Sequence, residues 1–355
     1  MISKKIFSTF LLLVCVAFAS IAQAQKLPNV MILATGGTIA GTGATSTTTV
    51  GYTAAKIGVD ALIDAVPELK KVANVKGEQV FQIASENMNN DYWLKLGKRV
   101  NALLAQDDVD GIVITHGTDT IEETAYFLDL VVKSKKPVVI VGAMRPSTAI
   151  SADGPINLYN AVLLAGSKEA IGKGVLVTLN DQINAGREVT KTNTSTLDTF
   201  KTPELGFLGY IQGSKPFFYR QSTRKNTADT VFDISKLDSL PQVDIVYGYA
   251  NMNPIALNAF VTAGAKGIIH AGVGDGSLNN TVVPSLVEAR KKGVVIVRAS
   301  RVGQGIVARN GEADDDKLDF VVSDTLNAQK ARILLMLALT KTSDSKEIQK
   351  MFYEY

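Results

Sequence analysis

Two threonine-glycine motifs carry the residue types for chemistry: Thr35-Gly36-Gly37-Thr38-Ile39-Ala40 and His116-Gly117-Thr118-Asp119-Thr120. Between them they supply two hydroxyl nucleophile candidates, Thr38 and Thr118, beside a carboxylate, Asp119. The chain holds one cysteine, Cys15, and two histidines, His116 and His270, so neither a Cys-His pair nor a His-rich metal site is easily assembled. A covalent nucleophile is therefore expected to be a hydroxyl, which needs a base because its pKa lies far above neutrality. Asp119, Lys191 or a tyrosine can serve, rather than histidine. The combination points to hydrolysis, of an amide in particular.

The first motif follows Val30-Met31-Ile32-Leu33-Ala34 and the second follows Gly111-Ile112-Val113-Ile114-Thr115. Both runs read as buried parallel strands, and in open α/β sheets ligands bind at the loops beyond the strands' carboxyl ends. The Gly36-Gly37 pair lets backbone approach a ligand closely and aim N–H groups at an oxyanion. A phosphate loop is disfavoured, since no Gly-Lys-Ser/Thr sequence follows. Thr120-Ile121-Glu122-Glu123 reads as a capping box, so the second motif opens a helix with Thr118 and Asp119 at its anion-stabilising end. The plainer reading makes Thr118 a cap and Asp119 a first-turn carboxylate. His116 reads as a packed or hydrogen-bonding residue rather than a base. Lys191 is an ordinary loop lysine unless partly buried near a carboxylate, where it can raise the nucleophilicity of a threonine. The small, polar stretch from Gly41 to Tyr52 has no strand or helix period and suits a mobile lid that brings the Tyr52 phenol to the site. Gly272-Val273-Gly274-Asp275-Gly276 has the wrong spacing for a dinucleotide loop and reads as a structural turn.

Helix-like segments (59–66, 93–106) alternate with strand-like ones (137–142, 174–178), which predicts an α/β chain in two domains. The larger N-terminal domain, a mainly parallel sheet with flanking helices, is expected over 25–216 and the smaller C-terminal α/β domain over 241–355. The charged, Ser- and Thr-rich stretch 217–240 reads as an exposed linker. The second set of strands is expected at 243–247, 267–270, 294–298 and 320–322, and a final apolar helix at 328–340, suited to core or interface. Residues 1–24, with Lys4 and Lys5, an apolar run from Phe10 to Phe18 and Ala22-Gln23-Ala24, read as a cleavable signal peptide too short to span a bilayer. Cleavage after Ala24 would leave a periplasmic protein without cysteine. The formal charge of +3 falls to +1 without Lys4 and Lys5, and no basic tract is present, which argues against nucleic acid as a partner. No later apolar run reaches membrane-spanning length, and no metal or other cofactor is expected.

With these residues in view, the chain resembles the exported type II bacterial L-asparaginases, including their glutaminase-asparaginase branch, over nearly all of Leu27 to Tyr355. Besides the two threonine motifs, the resemblance rests on Ala143-Met144-Arg145-Pro146, Ser151-Ala152-Asp153-Gly154-Pro155, Val189-Thr190-Lys191-Thr192-Asn193-Thr194 and Ala271-Gly272-Val273-Gly274. It implies hydrolysis of L-asparagine to L-aspartate and ammonia through a threonine acyl-enzyme, with some hydrolysis of L-glutamine. By the resemblance, Thr38 is the nucleophile and Tyr52 the lid tyrosine that helps to activate it. Thr118, Asp119 and Lys191 form a second catalytic group that polarises a threonine hydroxyl and a water. Ser85 and Glu86 match the site for the substrate's α-carboxylate and α-amine, with Asp119 also facing the amine. The Ala143 carbonyl receives the side-chain amide, and the backbone amides of Gly37 and Thr118 form the oxyanion hole. Asn251 and Glu312 align with residues supplied by a neighbouring subunit, which implies a homotetramer of active dimers. Glu86 departs from the asparagine-selective pattern, where glutamine is frequent; dual-specificity members often carry glutamate. Two alternatives follow: an enzyme equally active on both amides, or, in a different class, a periplasmic amino-acid-binding protein. The latter would need neither the paired threonine motifs nor a lid tyrosine.

Overall fold

A computed structural model describes residues 26–355; the expected signal peptide lies outside the described residues. The N-terminal part supplies β1 (Asn29–Gly36), β2 (Asn74–Ile83), β3 (Gly111–Thr115), β4 (Val138–Val141), β5 (Val175–Leu179), β6 (Gln182–Ala185), β7 (Thr190–Lys191), β8 (Phe200–Lys201), β9 (Gly209–Gln212) and β10 (Lys215–Phe218). Eight of these form one sheet in the order β10-β9-β6-β5-β4-β3-β1-β2, while β7 and β8 pair separately as a short antiparallel ribbon. The neighbours from β2 to β5 run parallel and those from β5 to β10 antiparallel. Strands such as Gly-Ile-Val-Ile-Thr in β3 and Val-Val-Ile-Val in β4 are buried along their whole length, as a sheet covered on both faces requires.

The covering helices are α1 (Val59–Asp64), α2 (Asn90–Leu104), α3 (Ile121–Val131) and α4 (Gly154–Ala165). Helix α2 starts where the Asn89 side chain accepts the Tyr92 N–H, and it buries Trp93, Leu96, Val100 and Leu103, spaced three and four apart on one face. Each such aliphatic side chain contributes about 1.5–3 kcal/mol by leaving water. Helices α2 and α3 pack on one side of the large sheet, α1 and α4 on the other.

The C-terminal part forms a smaller, all-parallel sheet in the order β11 (Val243–Tyr247), β12 (Gly267–Gly272), β13 (Val295–Ser300), β14 (Val321–Val322). Helices α5 (Ile255–Thr262) and α6 (Val283–Lys291) cover one face, and a short α7 (Asp315–Leu318) follows β13. Helix α8 (Ala328–Ala338) packs against α3 as well as β11 and β12, so one apolar core runs from the large sheet to the small one.

Two expectations are corrected here. The stretch 217–240 is not an exposed linker throughout: Phe217 and Phe218 belong to β10, Phe232, Ile234 and Leu240 are buried, and Lys133 Nζ donates to the Thr230 carbonyl at 2.8 Å. The helix over 328–340 is not the last, because α9 (Ser345–Glu354) follows and buries Ile348 and Phe352. Its Ile348, Met351 and Phe352 recur three and four apart among charged residues, the amphipathic period of a surface helix.

Candidate active site

The order β2-β1-β3-β4-β5 reverses direction between β1 and β3, the topological switch point at which doubly wound sheets bind ligands. Both threonine motifs leave the sheet there. Thr35 Oγ1 donates to the Thr115 carbonyl at 2.7 Å, which pins the two strand ends together. The loops beyond touch backbone to backbone: a Cβ on Gly37, whose φ is +82°, would lie 2.4 Å from Gly117 Cα, and one on Gly117 would lie 2.4 Å from Ser85 Oγ. Only glycine permits that approach.

Thr38 opens a one-turn 3-10 helix (Thr38–Ala40) and its hydroxyl lies 2.7 Å from the Tyr52 phenol oxygen. The loop from Gly41 to Tyr52 is tied down by the Thr42–Thr53 bridge, by Gly43 N–H to Thr148 Oγ1 at 2.8 Å and by Ile150 N–H to the Ser46 carbonyl at 2.8 Å. On the other side, Lys191 Nζ donates to Thr118 Oγ1 at 3.0 Å and to Asp119 Oδ1 at 2.6 Å. Because Thr118 Oγ1 accepts from an ammonium, its own proton points elsewhere and is available to a bound group. The Lys191 side chain is only 17 % exposed, whereas that of Asp119 is 59 % exposed. The partial burial on which a role for Lys191 depended is therefore present.

Both pairs face one cavity of about 330 Å³, also lined by Gly37, Ser85, Glu86 and Met144. That is the small end of the range for ligand pockets, about 300–1,000 Å³. Two larger cavities, of about 910 and 540 Å³, sit at the amino ends of the strands beside residues such as Lys136 and Asn29, away from either motif. Neither is lined by a residue of the two threonine motifs, so size does not mark the site. In the smaller cavity Ser85 Oγ accepts the Asp119 N–H at 3.2 Å, which leaves its proton free to donate to an anion. Glu86, Asp119 and Lys191 give the cavity two carboxylates and one ammonium, a setting suited to an α-amino acid.

A second layer holds these groups. His116 is buried and neutral, its pKa pushed down to about 4 by burial. Its Nδ1 lies 2.7 Å from the Gly117 carbonyl, and its Nε2 lies 2.9 Å from Thr124 Oγ1, which accepts from Trp93 Nε1 at 2.9 Å. Asp153 accepts the Met144 and Arg145 N–H groups at 3.0 and 2.9 Å and fixes the turn after β4. Buried Glu122 accepts the Lys191 N–H at 2.8 Å. The roles of Asp153 and Glu122 were missed from sequence; an acid set among apolar or glycine residues was their only signal.

The expected capping box does not form, although α3 does begin at Ile121: Thr120 Oγ1 donates instead to the Ser85 carbonyl at 2.8 Å, and Glu123 faces Arg332 at 4.0 Å. The donor role expected of Gly37 is also corrected, because its N–H already donates to the Ile83 carbonyl at 3.1 Å. The Thr118 N–H has no partner among the described residues. Ala143 is buried and does not line the cavity. Asn251 and Glu312 are exposed in loops of the C-terminal part and do not line it either. The Gly272–Gly276 turn is structural: buried Arg298 donates to the carbonyls of Asp275 and Gly276, each at 3.1 Å.

Comparison with known proteins identifies the family. Residues 29–224 match the family model "Asparaginase, N-terminal", and residues 242–352 match "Glutaminase/Asparaginase C-terminal domain". The chain is 58 % identical to L-asparaginase 2 of Bacillus subtilis (strain 168), over 96 % of this chain and 90 % of that protein. It is also 58 % identical to the glutaminase-asparaginase of Pseudomonas fluorescens biotype A, over 93 % of this chain and 91 % of that protein. The crystal structure of a probable cytoplasmic L-asparaginase from Campylobacter jejuni superposes with a TM-score of 0.90 at 51 % identity, covering 92 % of this chain and all of that one. With matching models across both parts and extensive identity, this chain belongs to the asparaginase family of amidohydrolases.

Proposed function

We propose that the protein hydrolyses L-asparagine to L-aspartate and ammonia through an acyl-enzyme on Thr38, with L-glutamine as a second substrate. The observation that carries this reading is the Lys191 ammonium bonded at once to Thr118 and Asp119, in the cavity that also holds the Thr38–Tyr52 pair. The Thr38 oxygen attacks the amide carbon while its proton passes by way of Tyr52 to the leaving nitrogen. A C–O bond forms, the C–N bond breaks and ammonia departs. Water, polarised by Thr118 with Lys191 and Asp119, then attacks the ester and returns the Thr38 hydroxyl. The unpaired Thr118 N–H stabilises the oxyanion of both tetrahedral states. Ser85 binds the α-carboxylate, and Glu86 with Asp119 binds the α-ammonium.

Glutamine is longer than asparagine by one methylene, a difference worth only about 1–3 kcal/mol in a pocket, so both amides are expected to react. Asn251 and Glu312 are exposed and do not line the cavity of their own chain, and both are assigned to the site of a second copy in a homotetramer. Export to the periplasm is proposed on the lysine pair, apolar run and Ala-Gln-Ala sequence of residues 1–24.

Ammonia release by the mature protein, followed with L-asparagine and L-glutamine side by side near neutral pH, tests the assignment. Release from both supports dual specificity, and release from asparagine alone restricts the reading to a selective asparaginase. Tight binding of either without release would favour an amino-acid-binding protein instead.

A further inference from the structure

Lys191 lies on β7, a two-residue strand that pairs only with β8, so its position is not set by either large sheet. It is held from two helices. Glu122, in the first turn of α3 after Asp119, is buried, and one of its carboxylate oxygens accepts the Lys191 N–H at 2.8 Å. Its other oxygen accepts the side-chain amides of Asn327, at 3.3 Å, and of Gln329 on α8. A residue further along α8, fully buried Lys330, donates to the carbonyls of Arg187 and Val189 at 2.7 and 2.5 Å, just before β7.

We propose that Glu122 is a positioning residue for Lys191, fixing the backbone from which the ammonium reaches Thr118 and Asp119 and tying that position to α8 through Asn327 and Gln329. This rests on the role given above to Lys191. All three groups facing Glu122 are N–H donors, so the site requires an acceptor at both oxygens, which a carboxylate supplies and an isosteric amide does not. Glu122→Gln keeps the shape but sets an NH2 against a donor, and an unmatched buried polar group moves or loosens its neighbours. Gln329→Glu in the same chain gives that NH2 an acceptor.

The test uses the full chain, with kcat and KM for L-asparagine and the melting temperature for each variant. Glu122→Gln is expected to lower kcat by about 10²-fold, the scale of a misplaced catalytic group, with KM changed no more than about twofold. The Glu122→Gln/Gln329→Glu pair is expected to regain most of that loss. In a Lys191→Met background, Glu122→Gln should cost little more, because both changes act through one group. Wild-type kcat in Glu122→Gln, or its full effect persisting beside Lys191→Met, overturns the positioning role. Wild-type kcat in Lys191→Met alone overturns the reading of the site itself. Should Glu122→Gln fail to fold, Gln329→Leu, which removes only the tie to α8, carries the test: a several-fold fall in kcat at constant KM supports the proposal, and unchanged kcat overturns it.

Discussion

The imidazole Nδ1 of His116 lies 2.7 Å from the carbonyl oxygen of Gly117. A carbonyl can only accept, so Nδ1 carries the proton, Nε2 accepts from Thr124, and Thr124 accepts from Trp93. The chain of bonds turns the Gly117 carbonyl towards the core. A trans, planar peptide then turns the Thr118 N–H the opposite way. His116 thereby aims a free donor without touching substrate. His116→Phe is expected to lower kcat by about 10–100-fold with little change in KM, on the scale of a mis-set oxyanion donor. His116→Asn, which offers an N–H near the Nδ1 position, should lose less. Steady-state kinetics on folded protein checks both, and an unchanged kcat in His116→Phe would remove this role.

Glu86 lines the cavity beside Ser85, and its side chain makes no hydrogen bond among the described residues. It is therefore free to meet the substrate's α-ammonium and to set how far the amide reaches towards Thr38. Glu86→Gln should shift the ratio of kcat/KM for asparagine over glutamine upward, by no more than about 10–200-fold. A ratio that stays constant while both values fall would make Glu86 a general binding group.

Glu312 lies outside the cavity of its own chain. If a second copy receives it, Glu312→Ala raises KM, and mixing that variant with Thr38→Ala restores a fraction of sites that are intact. Activity should appear on mixing two poorly active proteins under conditions where subunits exchange. No gain after exchange has been demonstrated by mass would exclude shared sites.

Two buried histidines make the fold sensitive to acid. Burial pushes His116 and His270 from 6.5 down to about 4, so between those values the unfolded chain binds protons that the folded chain does not, and stability falls as pH falls. Asp129 acts in the opposite sense: burial raises it from 3.8 to about 7, opposed by the Val175 N–H, so its contribution favours folding at acid pH and is lost as pH rises to 7. Asp129→Asn removes that dependence and keeps an oxygen for Val175. Relative to the wild type, the variant's melting temperature should rise on the order of a few degrees between pH 4.5 and pH 8. A difference independent of pH would mean that Asp129 is ionised throughout.

Much of this architecture was legible from apolar runs. Buried strands such as β3, β4 and β13 announce themselves by unbroken Val and Ile, and glycine pairs mark where the chain turns towards the cavity. The pairing of Thr38 with Tyr52 across a polar loop was anticipated by composition and resemblance. Contacts that depend on long-range packing were not legible. Thr120 and Glu123 looked like a capping box because local spacing fits that motif, but the Thr120 hydroxyl donates to the Ser85 carbonyl and Glu123 faces Arg332 on α8 instead. The Gly37 amide looked free because nothing local competes for it, and the Ile83 carbonyl arrives from the end of β2.

The most direct measurement is a mass analysis of protein quenched in acid during turnover of L-asparagine, with Thr38→Ala and Thr118→Val beside the wild type. The account predicts an aspartyl group on the peptide that contains Thr38, its absence from Thr38→Ala, and its accumulation in Thr118→Val, where attack by water is slowed. Turnover in Thr38→Ala is expected to fall by about 10³-fold or more. Ammonia release by Thr38→Ala at the wild-type rate, with no adduct at Thr38 in any protein, would contradict the acyl-enzyme and the site built around it.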